Sequence, residues 1–116
     1  MHDFKKLIVW QKTRDLVKNI YLLTKSFPKE ELYGLTSQIR RSAVSILSNI
    51  AEGAGRNSKK DFNRFLDIAN GSAFELETQI ILSFDLDYIT ETEMNSILNQ
   101  IEEIQKMIYG LKNKLS

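Results

Sequence analysis

The residues best suited to chemistry in this 116-residue chain are basic, and their types favour binding of phosphate. Four of them follow a pair of glycines directly, and two more stand side by side earlier in the sequence. Guanidinium and ammonium groups bind phosphate oxygens by charge and release the counterions that surround a nucleic acid. The predicted nucleic-acid-binding residues are Arg40, Arg41, Arg56, Lys59, Lys60 and Arg64.

The sequence offers little that could catalyse a reaction. Its single histidine is His2 and it has no cysteine, which excludes thiolate metal sites and disulfides and leaves little for histidine acid–base chemistry. Gly53 and Gly55 lack the lysine and hydroxyl residue that would follow them in a nucleotide-binding loop. A carboxylate metal site remains conceivable from Glu52, Glu75 and Glu77. We nevertheless predict a protein that is not an enzyme and that uses no metal or cofactor.

Length and composition predict one domain, residues 1–116, in the cytoplasm. A chain of this size with 42% hydrophobic residues can bury a single core without disulfides. The apolar run near the start, residues 7–10, is too short for the core of a signal peptide. No stretch approaches the roughly 20 apolar residues of a membrane span, so we expect no membrane contact.

Charge is distributed unevenly, although the net charge is only +1. Residues 1–64 carry 13 Lys and Arg against 6 Asp and Glu, a net +7, whereas residues 65–116 carry 3 against 9, a net −6. Such a separation fits a basic surface for an anionic partner, or complementary faces that meet within an assembly. The count alone does not choose between them.

Four amphipathic helices are predicted to position these residues. Apolar residues recur at spacings of three and four over about 6–26, 35–54, 59–86 and from Thr90 onward. Pro28 ends the first helix, Gly53 and Gly55 favour a left-handed cap on the second, and Ser58 and Thr90 are suited to begin the third and fourth. Because the connections are short, the expected fold is all-α, an antiparallel up-and-down four-helix bundle.

The second and third helices are predicted to pack tightly against each other. The second carries small residues on several sides, and the third has Gly71 at its middle. A glycine inside a helix costs about 1 kcal/mol relative to alanine, so it usually marks a close neighbour. We expect Arg40 or Arg41 to reach across to an acidic partner among Glu52, Glu75 and Glu77.

Residues along most of the chain resemble a known family, the small bacterial four-helix-bundle proteins named after intervening sequences of 23S rRNA genes. The resemblance is carried by Gln38, Arg40, Arg41, Ser42, Ala43, residues 49–53 (NIAEG), Arg56, Phe62, residues 65–66, 68–69, 71–72 and 75–76, with residues 9–10, 27–28 and 33–35 before them. It implies a homo-oligomer, a ring of five, with the second and third helices near the subunit contacts. One branch, the accessory variability determinant of diversity-generating retroelements, binds nucleic acid and reverse transcriptase. The resemblance therefore implies RNA or DNA, and a protein such as a reverse transcriptase, as partners.

The predicted function is that of a homopentameric binding protein associated with nucleic acid through its basic residues. Its predicted subunit-interface residues are Gln38, Arg41, Asn49, Glu52, Gly71 and Glu75. One alternative stays open, a purely structural or protein-binding oligomer without nucleic acid. In that case Arg40, Arg41, Glu52 and Glu75 would serve only subunit packing.

Overall fold

The computed structural model describes residues 2–115 and consists of four α-helices joined by short connections. Helix α1 spans Ile8–Thr24, α2 Leu35–Ala54, α3 Lys59–Asp85 and α4 Glu91–Leu115. Short 3-10 helices at Phe4–Lys6 and Lys29–Glu31 precede α1 and α2. The described residues form no strand, which confirms the predicted all-α class.

Side-chain contacts show that α2 and α3 run antiparallel. Ser42 on α2 donates a hydrogen bond to Glu75 on α3 at 2.6 Å. Three residues further along α2, the hydroxyl of Ser45 lies 2.8 Å from that of Ser72, three residues back on α3. Each helix contacts its sequence neighbours, and α1 contacts α4 to close the bundle. This is the predicted up-and-down topology.

One face of every helix lines a common apolar core. The residues with almost no exposed surface include Leu16, Ile20, Ile39, Ile46, Ile50, Leu66, Leu76, Ile80, Ile101, Ile104 and Ile108. Each such side chain contributes about 1.5–3 kcal/mol when it leaves water. The apolar residues that recur at spacings of three and four in the sequence are therefore the core residues. Their positions determine which faces of α1 to α4 are exposed to solvent.

The predicted helix starts are confirmed by their hydrogen bonds. The Ser58 hydroxyl accepts from the Asp61 backbone N–H at 3.0 Å, although the Asp61 carboxylate faces Arg64 and does not complete a capping box. At α4 the box is complete, since Thr90 accepts from the Glu93 N–H at 3.1 Å and its own N–H donates to Glu93 at 2.9 Å. Each cap satisfies backbone donors that a helix start leaves free.

The predicted left-handed cap after α2 is wrong. Helix α2 ends where expected, but its C-cap Gly55 has a φ of −81° and Gly53 lies inside the helix. Within residues 2–115 the left-handed residue is instead Asp87, with a φ of 62°, just after α3. Aspartate is one of the few side chains that tolerate this conformation.

Candidate nucleic-acid interface

The close approach of α2 and α3 at their joined ends builds a basic corner on the molecule. Gly53 is buried there, and a Cβ atom added to it would lie 2.7 Å from Cβ of Phe65 and 3.3 Å from the carbonyl oxygen of Phe62. Only a glycine allows the two helices this separation. The four-residue turn that follows carries Arg56, and the first turns of α3 carry Lys59, Lys60 and Arg64 at the same end of the bundle.

We define the basic corner as Arg56, Lys59, Lys60 and Arg64, all of which are exposed. The guanidinium carbons of Arg56 and Arg64 lie 4.8 and 4.5 Å from the centre of the buried Phe65 ring. Each arginine is thereby held by a cation–π contact while its N–H groups stay accessible. Phe65 thus positions two of the four cations.

Carboxylates neutralise only part of this corner. A guanidinium nitrogen of Arg56 lies 3.4 Å from a carboxylate oxygen of Glu52, and one of Arg64 lies 3.7 Å from a carboxylate oxygen of Asp61. Both ion pairs are exposed to solvent. Lys59 and Lys60 have no ion-pair partner among residues 2–115. Since both lysines occupy the first turn of α3, where the helix dipole already favours anions, the corner is electropositive.

The N-terminal segment docks beside the basic corner, which the sequence did not indicate. The backbone N–H of His2 donates to the carbonyl of Ala54 at 2.8 Å, and its ring lies 5.3 Å from that of Phe62. A shallow groove therefore runs between this segment, including Lys5, and the end of α2. No local pattern could have found this contact, because it joins positions more than fifty residues apart.

The other two predicted cations lie elsewhere. Arg40 and Arg41 are near the start of α2, and a rise of 1.5 Å per residue places them roughly 20 Å from Arg56. The expected ion pairs to the glutamates are wrong, because Arg40 turns toward α1 and donates to Thr24 at 2.9 Å, while Arg41 is exposed without an ion-pair partner in residues 2–115. The six predicted binding residues therefore form two groups.

The six predicted interface residues lie on the outer side of the α2–α3 pair. Five are exposed and the sixth is half-buried, its amide donating to the carbonyl of Ser45: Gln38, Arg41, Asn49, Glu52, Gly71 and Glu75. Gly71 does not mark packing against α2, since a Cβ atom there would meet nothing within 4 Å. Ile68 and Leu82 are exposed on the same helix, so this face combines small, charged and apolar side chains.

Residues 5–110 match the family described as 23S rRNA-intervening sequence protein. The chain belongs to this family. A crystal structure from Bacteroides thetaiotaomicron, described as a protein with unknown function from the S23 ribosomal protein family, is 32% identical in sequence. The similarity covers 91% of this chain and 96% of that one, with a TM-score of 0.85. No curated protein matches the chain.

Residues 2–115 contain neither a cluster of metal-binding side chains nor a membrane-spanning helix. No group of three or more His, Asp or Glu side chains is gathered as a metal ion would need, and Glu52 is engaged with Arg56. None of the helices combines the length and the apolar character that crossing a membrane requires.

Proposed function

We propose that this chain is a non-enzymatic, homopentameric protein of the cytoplasm that binds RNA or another nucleic acid. The observation that carries the proposal is the basic corner, where four cations are exposed at one end of the bundle and two of them, both lysines, have no acidic partner among residues 2–115. Such a surface contacts the phosphate backbone, so binding should depend on salt and only weakly on sequence. A ring would present five copies of the corner, and multivalency raises a weak affinity without new contacts.

The outer α2–α3 face supports the assembly. It offers the exposed carboxylate of Glu75, and it carries the mid-helix Gly71, where a Cβ atom would meet nothing within 4 Å among residues 2–115. A neighbouring subunit packed across Gly71 would account for the glycine. The same face favours the second candidate, an oligomer that serves only structure or protein binding.

The test of the proposal is the mass in solution by light scattering, with and without a structured RNA, at about 50 and 200 mM salt. We expect a ring that gains RNA at the lower salt and loses it at the higher. The variant Lys59→Glu/Lys60→Glu/Arg64→Glu should keep the ring mass and lose the RNA. The matched control, Lys12→Glu/Lys106→Glu/Lys114→Glu, changes the net charge equally on other surfaces and should keep both.

Three other outcomes would contradict part of the proposal. If the control loses RNA as completely as the corner variant, net charge and not the corner controls binding. If the ring ignores RNA at both salts while Arg41→Glu or Glu52→Arg breaks it, the structural candidate is correct. A protomer mass for the unaltered chain would contradict the assembly in both candidates.

A further inference from the structure

A groove between α1 and α2 holds cationic and aromatic side chains well away from the basic corner. Its walls include Tyr21, Tyr33, Ser37, Arg40, Arg41 and Val44. We call it the tyrosine–arginine groove. The residues that line it in the described chain include no carboxylate, so its two guanidiniums meet no opposite charge there.

Arg40 is held in a fixed position inside this groove. Its Nε–H donates to the Thr24 hydroxyl oxygen at 2.9 Å, and its guanidinium carbon lies 4.7 Å from the centre of the Tyr21 ring. The Thr24 hydroxyl in turn donates to the carbonyl of Ile20 at 2.8 Å. The two terminal amino groups of Arg40 remain unused by residues 2–115, which leaves a rigid fork suited to a phosphate.

Tyr33 is the most exposed aromatic residue of the described chain. Its side chain is 93% exposed, and its ring and hydroxyl contact no other ring or polar group in residues 2–115. A tyrosine ring in water leaves a large apolar surface uncovered, and a planar partner stacked on it would remove that surface. Tyr33 lines the same groove as Arg40, so a partner stacked on the tyrosine ring could place a negative charge on the arginine.

The two helices that flank the groove are basic, whereas the connection that carries Tyr33 also holds Glu30 and Glu31. Along α1 and its C-cap, exposed residues recur at spacings of four, three and four and form one row beside the groove: Arg14, Lys18, Tyr21 and Lys25. Over α1 and α2 together the acidic residues are only Asp15 and Glu52. A strand of phosphates would therefore be attracted along this row as well as into the groove.

We propose that the tyrosine–arginine groove holds a nucleotide unit of a single-stranded nucleic acid, with its phosphate on Arg40 and Arg41 and its base stacked on Tyr33. The inference rests on the proposed function and names its ligand class. In a duplex each base is already stacked and paired, so only an unpaired base can reach the ring. The basic corner, which has no exposed ring of this kind, would contact backbone phosphates of either form.

The experiment compares binding of a labelled oligoadenylate RNA, alone and paired with its complement, to the full chain. Tyr33→Ala should weaken binding of the single strand about tenfold, because it removes the aromatic face on which a base stacks. The same variant should leave duplex binding unchanged. Tyr33→Phe is the matched control that keeps the ring and should keep the affinity. Arg41→Gln should weaken the single strand and reduce its salt dependence.

The outcomes separate this inference from the proposed function. If Tyr33→Ala binds the single strand as well as the unaltered chain does, or loses both forms equally, the stacking role is wrong while the basic corner stands. If Tyr33→Ala changes the mass of the assembly, the groove holds a second copy of the chain and the inference is overturned. If the unaltered chain binds neither form, both proposals fail together.

Discussion

Gly53 on α2 faces Phe65 on α3 so closely that a Cβ atom on the glycine would lie 2.7 Å from the Phe65 Cβ atom. The ring of the same phenylalanine carries the guanidiniums of Arg56 and Arg64. One close contact between two helices therefore determines both their separation and the position of the basic corner.

Replacing this glycine should destabilise the protein. For Gly53→Ala we expect a loss of about 1–3 kcal/mol in the free energy of unfolding, the usual cost of an overpacked core site. The new methyl group would press on the Phe65 Cβ atom and on the Phe62 carbonyl oxygen, and neither can move without its backbone. Urea denaturation measures the loss.

Gly55→Ala is the matched control two residues away. A Cβ atom there would lie 3.5 Å or more from its nearest neighbours, and the φ of −81° suits any residue. The free energy of unfolding of Gly55→Ala should differ from that of the unaltered chain by no more than about 0.5 kcal/mol. Equal losses in both variants would mean that the α2–α3 separation is not what Gly53 controls.

The sequence predicted the local features of this fold well. The core stripes follow from the spacing of apolar residues, and the caps at Ser58 and Thr90 involve partners only three positions away. Such features depend on the chain within one or two helical turns. They are therefore visible before the helices have been placed against one another.

The features that the sequence did not predict depend on how each helix is rotated in the bundle. Adjacent residues of a helix differ in direction by about 100°, so Arg40 turns toward Thr24 on α1 while Arg41 points to solvent. For the same reason the periodicity could not decide whether Gly53 or Gly71 meets a neighbouring helix. In the structure, Gly53 is the glycine that contacts a neighbouring helix of the same protomer.

Gly71 provides a test of the subunit contact. Gly71→Leu should raise the helix stability of the protomer by about 1 kcal/mol, because leucine is the better helix former and nothing lies within 4 Å. On a packed subunit interface the same side chain would clash. We therefore expect the mass measured by light scattering to fall toward that of the protomer while thermal unfolding shows an intact fold.

Gly110→Leu is the control for that variant. Gly110 is also exposed within a helix with nothing within 4 Å of a Cβ atom, but it lies on α4. It should gain the same helix stability and keep the assembled mass. If Gly71→Leu also keeps the assembled mass, the α2–α3 face is not the subunit contact.

The turn after α3 stores a small amount of backbone strain at Asp87. With a φ of 62°, this residue places its own N–H on the carbonyl of Phe84 and the N–H of Tyr88 on that of Ser83, both at 2.9 Å. Glycine is the residue preferred at this position of a helix end. Asp87→Gly should therefore stabilise the protein by about 0.5 kcal/mol, and Asp87→Ala should destabilise it by about 1 kcal/mol. Paired thermal unfolding curves measure both, and a gain with alanine would contradict the argument.

Alkaline pH should weaken a contact between the two loops at one end of the bundle. The Tyr88 hydroxyl donates to a carboxylate oxygen of Glu31 at 2.9 Å. This hydrogen bond, then desolvation, then the negative charges of Glu31 and Glu30 raise the pKa of Tyr88 above its ordinary value. The folded chain thus holds the phenol proton more tightly than the unfolded chain does.

The sign of the pH effect follows from that difference. The contribution is fully present below the unfolded tyrosine pKa of about 10 and is lost as pH rises through the higher folded pKa, because the unfolded chain binds fewer protons there. Urea midpoints should therefore fall more steeply on the alkaline side for the unaltered chain than for Tyr88→Phe, which keeps the ring packed on Phe27. Lysines titrate in the same range in both proteins, so only the difference between the two curves reports on Tyr88. Parallel curves would show that the Glu31 bond contributes nothing that depends on this proton.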